Sequence, residues 1–134
     1  MSYGYESVTI NSGAAVGGDG SATANNTSSH VVTGQICSVG VTYGDSPPGT
    51  TDVTVATAGN NVPALTILTL TNANTSGWFH VRHVIDDETG ADITYDGTEE
   101  VYDKVCVADN IKVTIAQANS PDTAEVVVVY YAGR

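Results

Sequence analysis

The chain has 134 residues and carries fifteen Asp and Glu against four Lys and Arg, a formal net charge of -11. That balance argues against a nucleic-acid partner, because binding a duplex needs Lys and Arg to replace counterions along the phosphates, and against anionic membranes. The length is that of one domain, and nineteen Val and eighteen Thr beside three Leu favour strands over helices, since branched side chains fit a pleated sheet and are restricted at χ1 in a helix.

No run approaches the roughly 18 apolar residues of a membrane-spanning helix. The first residues, Met1-Ser-Tyr-Gly-Tyr-Glu6, lack the basic and apolar segments of a secretory signal, so the expectation is a protein made in the cytoplasm without export. So acidic a surface repels itself and is best tolerated in concentrated salt, where the Debye length shrinks to about 3 Å. This points to a halophilic setting.

Residues 1–29 are predicted to form a low-complexity N-terminal arm or long loop, with a short strand at 5–10. Residues 11–29, NSGAAVGGDGSATANNTSS, hold almost no large apolar group. Residues 30–134 are predicted to be the folded domain. A strand over 30–43 ends at the turn cluster Gly44-Asp-Ser-Pro-Pro-Gly49, and a half-buried strand over 52–58 sets Val53 and Val55 against Asp52 and Thr54. In 64–71 the apolar phase slips between Ile67 and Leu68, which predicts a bulge near Ile67.

The most aromatic strand is expected over 78–85, with Phe79, Val81, His83 and Ile85 inward and Trp78, His80, Arg82 and Val84 on the other face. Short strands follow near 92–95 and 101–107. Over 111–116, Ile111, Val113 and Ile115 alternate with polar or small residues, and a turn at Asn119–Asp122 leads to a final strand over 124–131. There AEVVVVYY has no alternation, so the strand is either central in a covered sheet or pressed against another chain. Seven to nine short strands between turn signals predict an all-β fold: one antiparallel β-sandwich, jelly-roll or immunoglobulin-like. A Cys37…Trp78…Cys106 order is present, but its spacing and Lys104, where a Tyr belongs, depart from the immunoglobulin pattern.

Chemistry-bearing residues form no recognisable active site. Eight of the fifteen acids fall between Asp86 and Asp103, where carboxylates suit Ca²⁺, but Thr94 breaks the EF-hand order and a solvated acidic face is the expected reading. His80 and His83 point to opposite faces of a strand. Cys37 and Cys106 are expected to be buried free thiols, and Asn25, Asn26 and Asn74 head formally complete glycosylation sequons. No nucleophile elbow or phosphate loop is present. Neither catalysis nor a cofactor nor a metal is expected.

The whole chain, most clearly from Gly34 to Gly133, resembles small head decoration, or cement, proteins of tailed viruses. The resemblance rests on GQICSVGVTYGDSPPGTTDVTVATAG, NANTSGWFHVRHVIDDETGADI and DNIKVTIAQANSPDTAEVVVVYY. It implies a virion protein on the outer surface of the capsid, usually a homotrimer, that bridges neighbouring copies of the major capsid protein. With the acidity it implies a virus of a salt-loving, archaeal host. Interface candidates are Tyr3, Tyr5, Val126, Val128, Tyr130 and Tyr131, because tyrosines supply rigid amphipathic contacts and the last strand is apolar on both sides. A tail or fibre component, a carbohydrate-binding β-sandwich using Trp78 and Phe79, and a cell-surface subunit are the alternatives.

Overall fold

The structure, a computed structural model, describes residues 4–132. Among them there is no helix, and every strand pairing is antiparallel. The first sheet has the order β1 (Tyr5–Asn11), β11 (Thr123–Tyr131), β3 (Val32–Gly44) and β6 (Gly77–Phe79), with β9 (Cys106–Asp109) also paired to β3. The second has the order β2 (Ala22–Thr27), β10 (Ile111–Ala118), β4 (Asp52–Thr57) and β5 (Thr66–Leu70). A small third sheet pairs β7 (His83–Val84) with β8 (Tyr102–Asp103).

One core joins the two large sheets. Ile10, Val39, Val41, Val126 and Val128 from the first and Val53, Val55, Val113 and Ile115 from the second all lie in a single buried cluster. The alternation read in β4 and β10 puts these side chains inward, because successive residues of a strand face opposite sides. The bulge expected near Ile67 is there: Val55 pairs with Leu68 and Ala56 with Thr66, which leaves Ile67 as the extra, buried residue.

The short strand expected at 5–10 is present as β1, but the expected arm is a correction. Residues 5–27 supply an edge strand to each sheet, β1 along β11 and β2 along β10. Ala15 in their connection and Ala22 at the start of β2 are fully buried, and the Ser12 amide donates to the Ala124 carbonyl at 2.9 Å while its hydroxyl accepts the Ala124 amide at 3.0 Å. Small side chains are buried here all the same, so poverty in large apolar residues did not mean absence of burial.

The expected strand over 78–85 breaks after Phe79. Phe79 pairs with Val39, but the far half of the same β3 edge is held by β9, where Gln35 pairs with Cys106 and the Ile36 amide donates to the Val105 carbonyl at 2.8 Å. With no edge to follow, the chain leaves the sheet as an excursion and returns at β9. The final strand is central, between β1 and β3. Its neighbour Gly34 has φ +143°, and a Cβ there would collide with the Tyr131 carbonyl, so only glycine fits.

Candidate functional site

The outer face of the first sheet is almost without charge. Register places Thr9, Val127, Gly40 and Trp78 in one row across four strands, with Ser7, Val129 and Ser38 in the next. Glu125, paired with Asn11 and Thr42, is the carboxylate of this face. Trp78 is 59% exposed, and its indole lies flat on Gly40, where a Cβ would come within 3.0–3.1 Å of the ring. Beside the indole is a shallow depression of about 280 Å³, lined by Thr42, Ser76, Gly77 and Val127 among others. At the other end of the face the Tyr5 and Tyr131 rings meet at 5.4 Å between centroids, tilted by 60°, a favoured aromatic geometry.

The six residues picked from sequence separate by facing. Tyr5 and Tyr131 are exposed on this outer face, whereas Val126, Val128 and Tyr130 face inward, the two valines fully buried and Tyr130 at the border of the core beside Glu6, Val31 and Thr33. Tyr3 lies outside the described residues. An apolar run on both sides of a strand carries no parity, so the sequence alone did not separate the inward row from Val127 and Val129, both half-buried on the outer face. Trp78 and Gly40 were missed as a unit because only the pairing of β3 with β6 brings them together.

The acidic excursion folds on itself. The expected strand near 92–95 is instead one side of a triangle: the Ile85 amide donates to the Val101 carbonyl at 2.9 Å, the Ile93 amide to Ile85 at 3.0 Å, and the Val101 amide to Ile93 at 3.0 Å. Three mutually antiparallel segments cannot lie in one flat sheet, so each contact is short: single bridges at Asp86 with Asp92 and Thr94 with Glu100, and the two-residue pairing of β7 with β8. The equal eight-residue spacing of Ile85, Ile93 and Val101 was the available signal.

Its carboxylates have individual roles. The Asp87 carboxylate accepts the Thr89 hydroxyl at 2.7 Å and the Thr89 and Ala91 amides at 2.8 and 3.1 Å, which hold its pKa down. Asp96, accepting the Glu99 and Thr98 amides at 2.6 and 2.9 Å, is lowered likewise. Asp86 is raised, first by its hydrogen bond with the Asp92 carboxyl. Among the described residues no three His, Cys, Asp or Glu converge as metal ligands.

Asp109, fully buried, organises the loop after β4. It accepts the Asn110 amide at 2.7 Å, Gly59 at 3.0 Å and Asn61 at 3.4 Å. Burial alone would raise its pKa, but these donors outweigh it and the net shift is downward. The cysteines are a second correction: both are free, but Cys37 is half-buried and Cys106 exposed, because Cys106 sits on the outward side of β9. Cys106 lines an open cleft of about 530 Å³ with Val62, Pro63, Leu65 and Val107.

No protein-family model matches the chain, and no curated protein matches it.

Proposed function

We propose that this chain is a non-enzymatic structural protein of a tailed-virus virion, bound to the outer surface of the assembled capsid and bridging neighbouring copies of the major capsid protein. The observation that carries this reading is the outer face of the first sheet, which bears Tyr5, Tyr131, Val127, Val129 and Trp78 and a single carboxylate, Glu125, on a chain of net charge -11. Depletion of charge with enrichment of aromatics marks the core of protein interfaces. We read the fold as a jelly roll. Taking β9 with β6 as one broken strand and leaving out the small sheet, the eight strands in chain order run 1-8-3-6 in one sheet and 2-7-4-5 in the other. Jelly rolls build viral capsid and lectin domains, which supports the reading by analogy of fold only.

Mass spectrometry of density-purified particles from the source culture tests it. A high, fixed ratio to the major capsid protein is expected, and absence from particles refutes it. With purified shells, Thr42→Glu, which sets a second carboxylate beside Glu125, should weaken co-sedimentation.

A glycan-binding role is a second reading, supported by the exposed indole on Gly40 with Thr42 and Ser76 beside it. A pyranose could stack its apolar face there. Saturable quenching of Trp78, the single tryptophan, during a glycan titration would favour it over capsid binding.

A further inference from the structure

The first sheet ends in an edge strand guarded by one charge alone, Glu6. Proteins guard such edges with charged side chains, above all Lys, and with Pro, bulges or very short strands. β1 has seven residues, YESVTIN, no Pro or Lys, and an unbroken register with β11. By contrast, the second sheet's edge strands β2 and β5 each carry a register shift.

The direction of each backbone group follows from the ends of β1. The Gly4 carbonyl accepts the Ala132 amide at 2.9 Å, and the Ser12 amide donates to the Ala124 carbonyl at 2.9 Å, so both point toward β11. Orientation alternates along a strand, so Glu6, Val8 and Ile10 bond to β11 while Tyr5, Ser7, Thr9 and Asn11 turn their amides and carbonyls outward. The Asn11 carbonyl accepts the Asn26 side-chain amide at 3.0 Å. The backbone groups of Tyr5, Ser7 and Thr9 have no partner among the described residues.

We propose that β1 pairs antiparallel with β1 of a second copy about a twofold axis through Ser7, joining the two first sheets into one. Outward-turned residues must face each other, and centring on Ser7 sets Tyr5 against Thr9 and Ser7 against Ser7. This uses all three unpartnered residues and leaves Asn11 to Asn26. Glu6, the single charge of the strand, then faces Val8 rather than its own copy.

Charge placement agrees with this occupant. The excursion holding eight acids leaves from β6 and returns at β9, both on the opposite edge of the same sheet. Pairing through β1 therefore keeps the two acidic excursions at the far ends of the joined sheet. Because the axis stands perpendicular to the sheet, the two Trp78 faces point the same way. The pairing does not depend on the capsid reading: it can stand or fall with the monomeric face still binding shells, or not.

The test is sedimentation velocity of the full chain in dilute buffer and in molar KCl, with hydrogen exchange of the β1 amides. A dimer that strengthens with salt is expected, since screening weakens the repulsion between copies, together with protection of the Tyr5, Ser7 and Thr9 amides. Ser7→Pro removes an outward amide that the monomer does not use, a substitution edge strands accept, and should abolish the dimer. Thr9→Lys, a guarding charge at an exposed site, should do the same if the proline disturbs folding. A monomer at every salt concentration, a trimer, or a dimer indifferent to both substitutions would overturn the pairing.

Discussion

Val128 and Val129 are adjacent and chemically identical, yet the structure assigns them opposite fates. Val128 is wholly buried in the inward row, and Val129 is half-buried on the outer face opposite Ser7 and Ser38. Replacing Val128 by Ala removes two carbons from the core, about 1.6 kcal/mol of transfer free energy at ~0.8 kcal/mol per methylene. The unfilled space raises the cost to about 2.5 kcal/mol, a large share of the roughly 5–15 kcal/mol that holds such a domain together. Val129→Ala exposes little that was dry and should cost under about 1 kcal/mol. Urea unfolding of both variants, followed by circular dichroism, measures the difference. Equal costs, or a larger one for Val129, would mean that β11 is out of register by one residue, because a single slip exchanges every side chain between faces.

Asp109→Asn should lower the melting temperature at neutral pH. The native carboxyl titrates below its unfolded value of about 3.9, so its stabilisation is complete above that pH and fades as pH falls through the native pKa. The gap between parent and variant should therefore close in acid, and a gap that widens there would contradict the assigned hydrogen bonds. Gly40→Ala places a methyl 3.0 Å from the indole and should lift Trp78, shifting its emission; an unchanged spectrum would remove the stacked geometry. Ile93→Ser should open the triangle and speed tryptic cleavage at Arg82 and Lys104 while leaving the main unfolding transition in place. The melting temperature of the parent should rise between dilute buffer and molar KCl, and a flat response would end the halophilic reading.

What could be read from the sequence was what periodicity encodes. β4, and β10 as far as Ala116, alternate strictly, so those stretches and their inward faces were legible, whereas the register shift that carries β10 on to Ala118 was not; the phase slip at Ile67 marked its own bulge. The aromatic segment was right in phase from Trp78 to Arg82 and wrong beyond: His83, Val84 and Ile85 are all half-buried and His83 and Ile85 lie outside the core, because the strand stops where β9 occupies the edge of β3. That competition between distant segments leaves no local trace. In residues 11–29 most side chains are exposed, but Ser12, Ala15, Ala22 and Ser28 are buried, and a few small side chains are enough to tie the segment to the sheets. For the candidate site, two of the six chosen residues lie on the outer face, because β11 lacked the alternation that would have told Val127 from Val128.

The charge of this molecule has an arrangement as well as a magnitude. Eight of fifteen acids lie in the excursion between β6 and β9, where Asp87 and Asp96 cap turns with their carboxylates. Asp109 and Asp122 are buried against backbone amides, the latter accepting Asn119 at 2.8 Å. Charge used in these ways is withdrawn from the outer face of the first sheet, which keeps Glu125 alone. A protein can thereby repel its copies in most orientations and still meet a surface through one face, since mutual repulsion is set by the whole distribution and docking by the few groups brought into contact. Adding one carboxylate at Thr42 would raise the net charge by less than a tenth but double the charge of that face, which is why the shell-binding comparison is made there and not at an exposed site of the excursion.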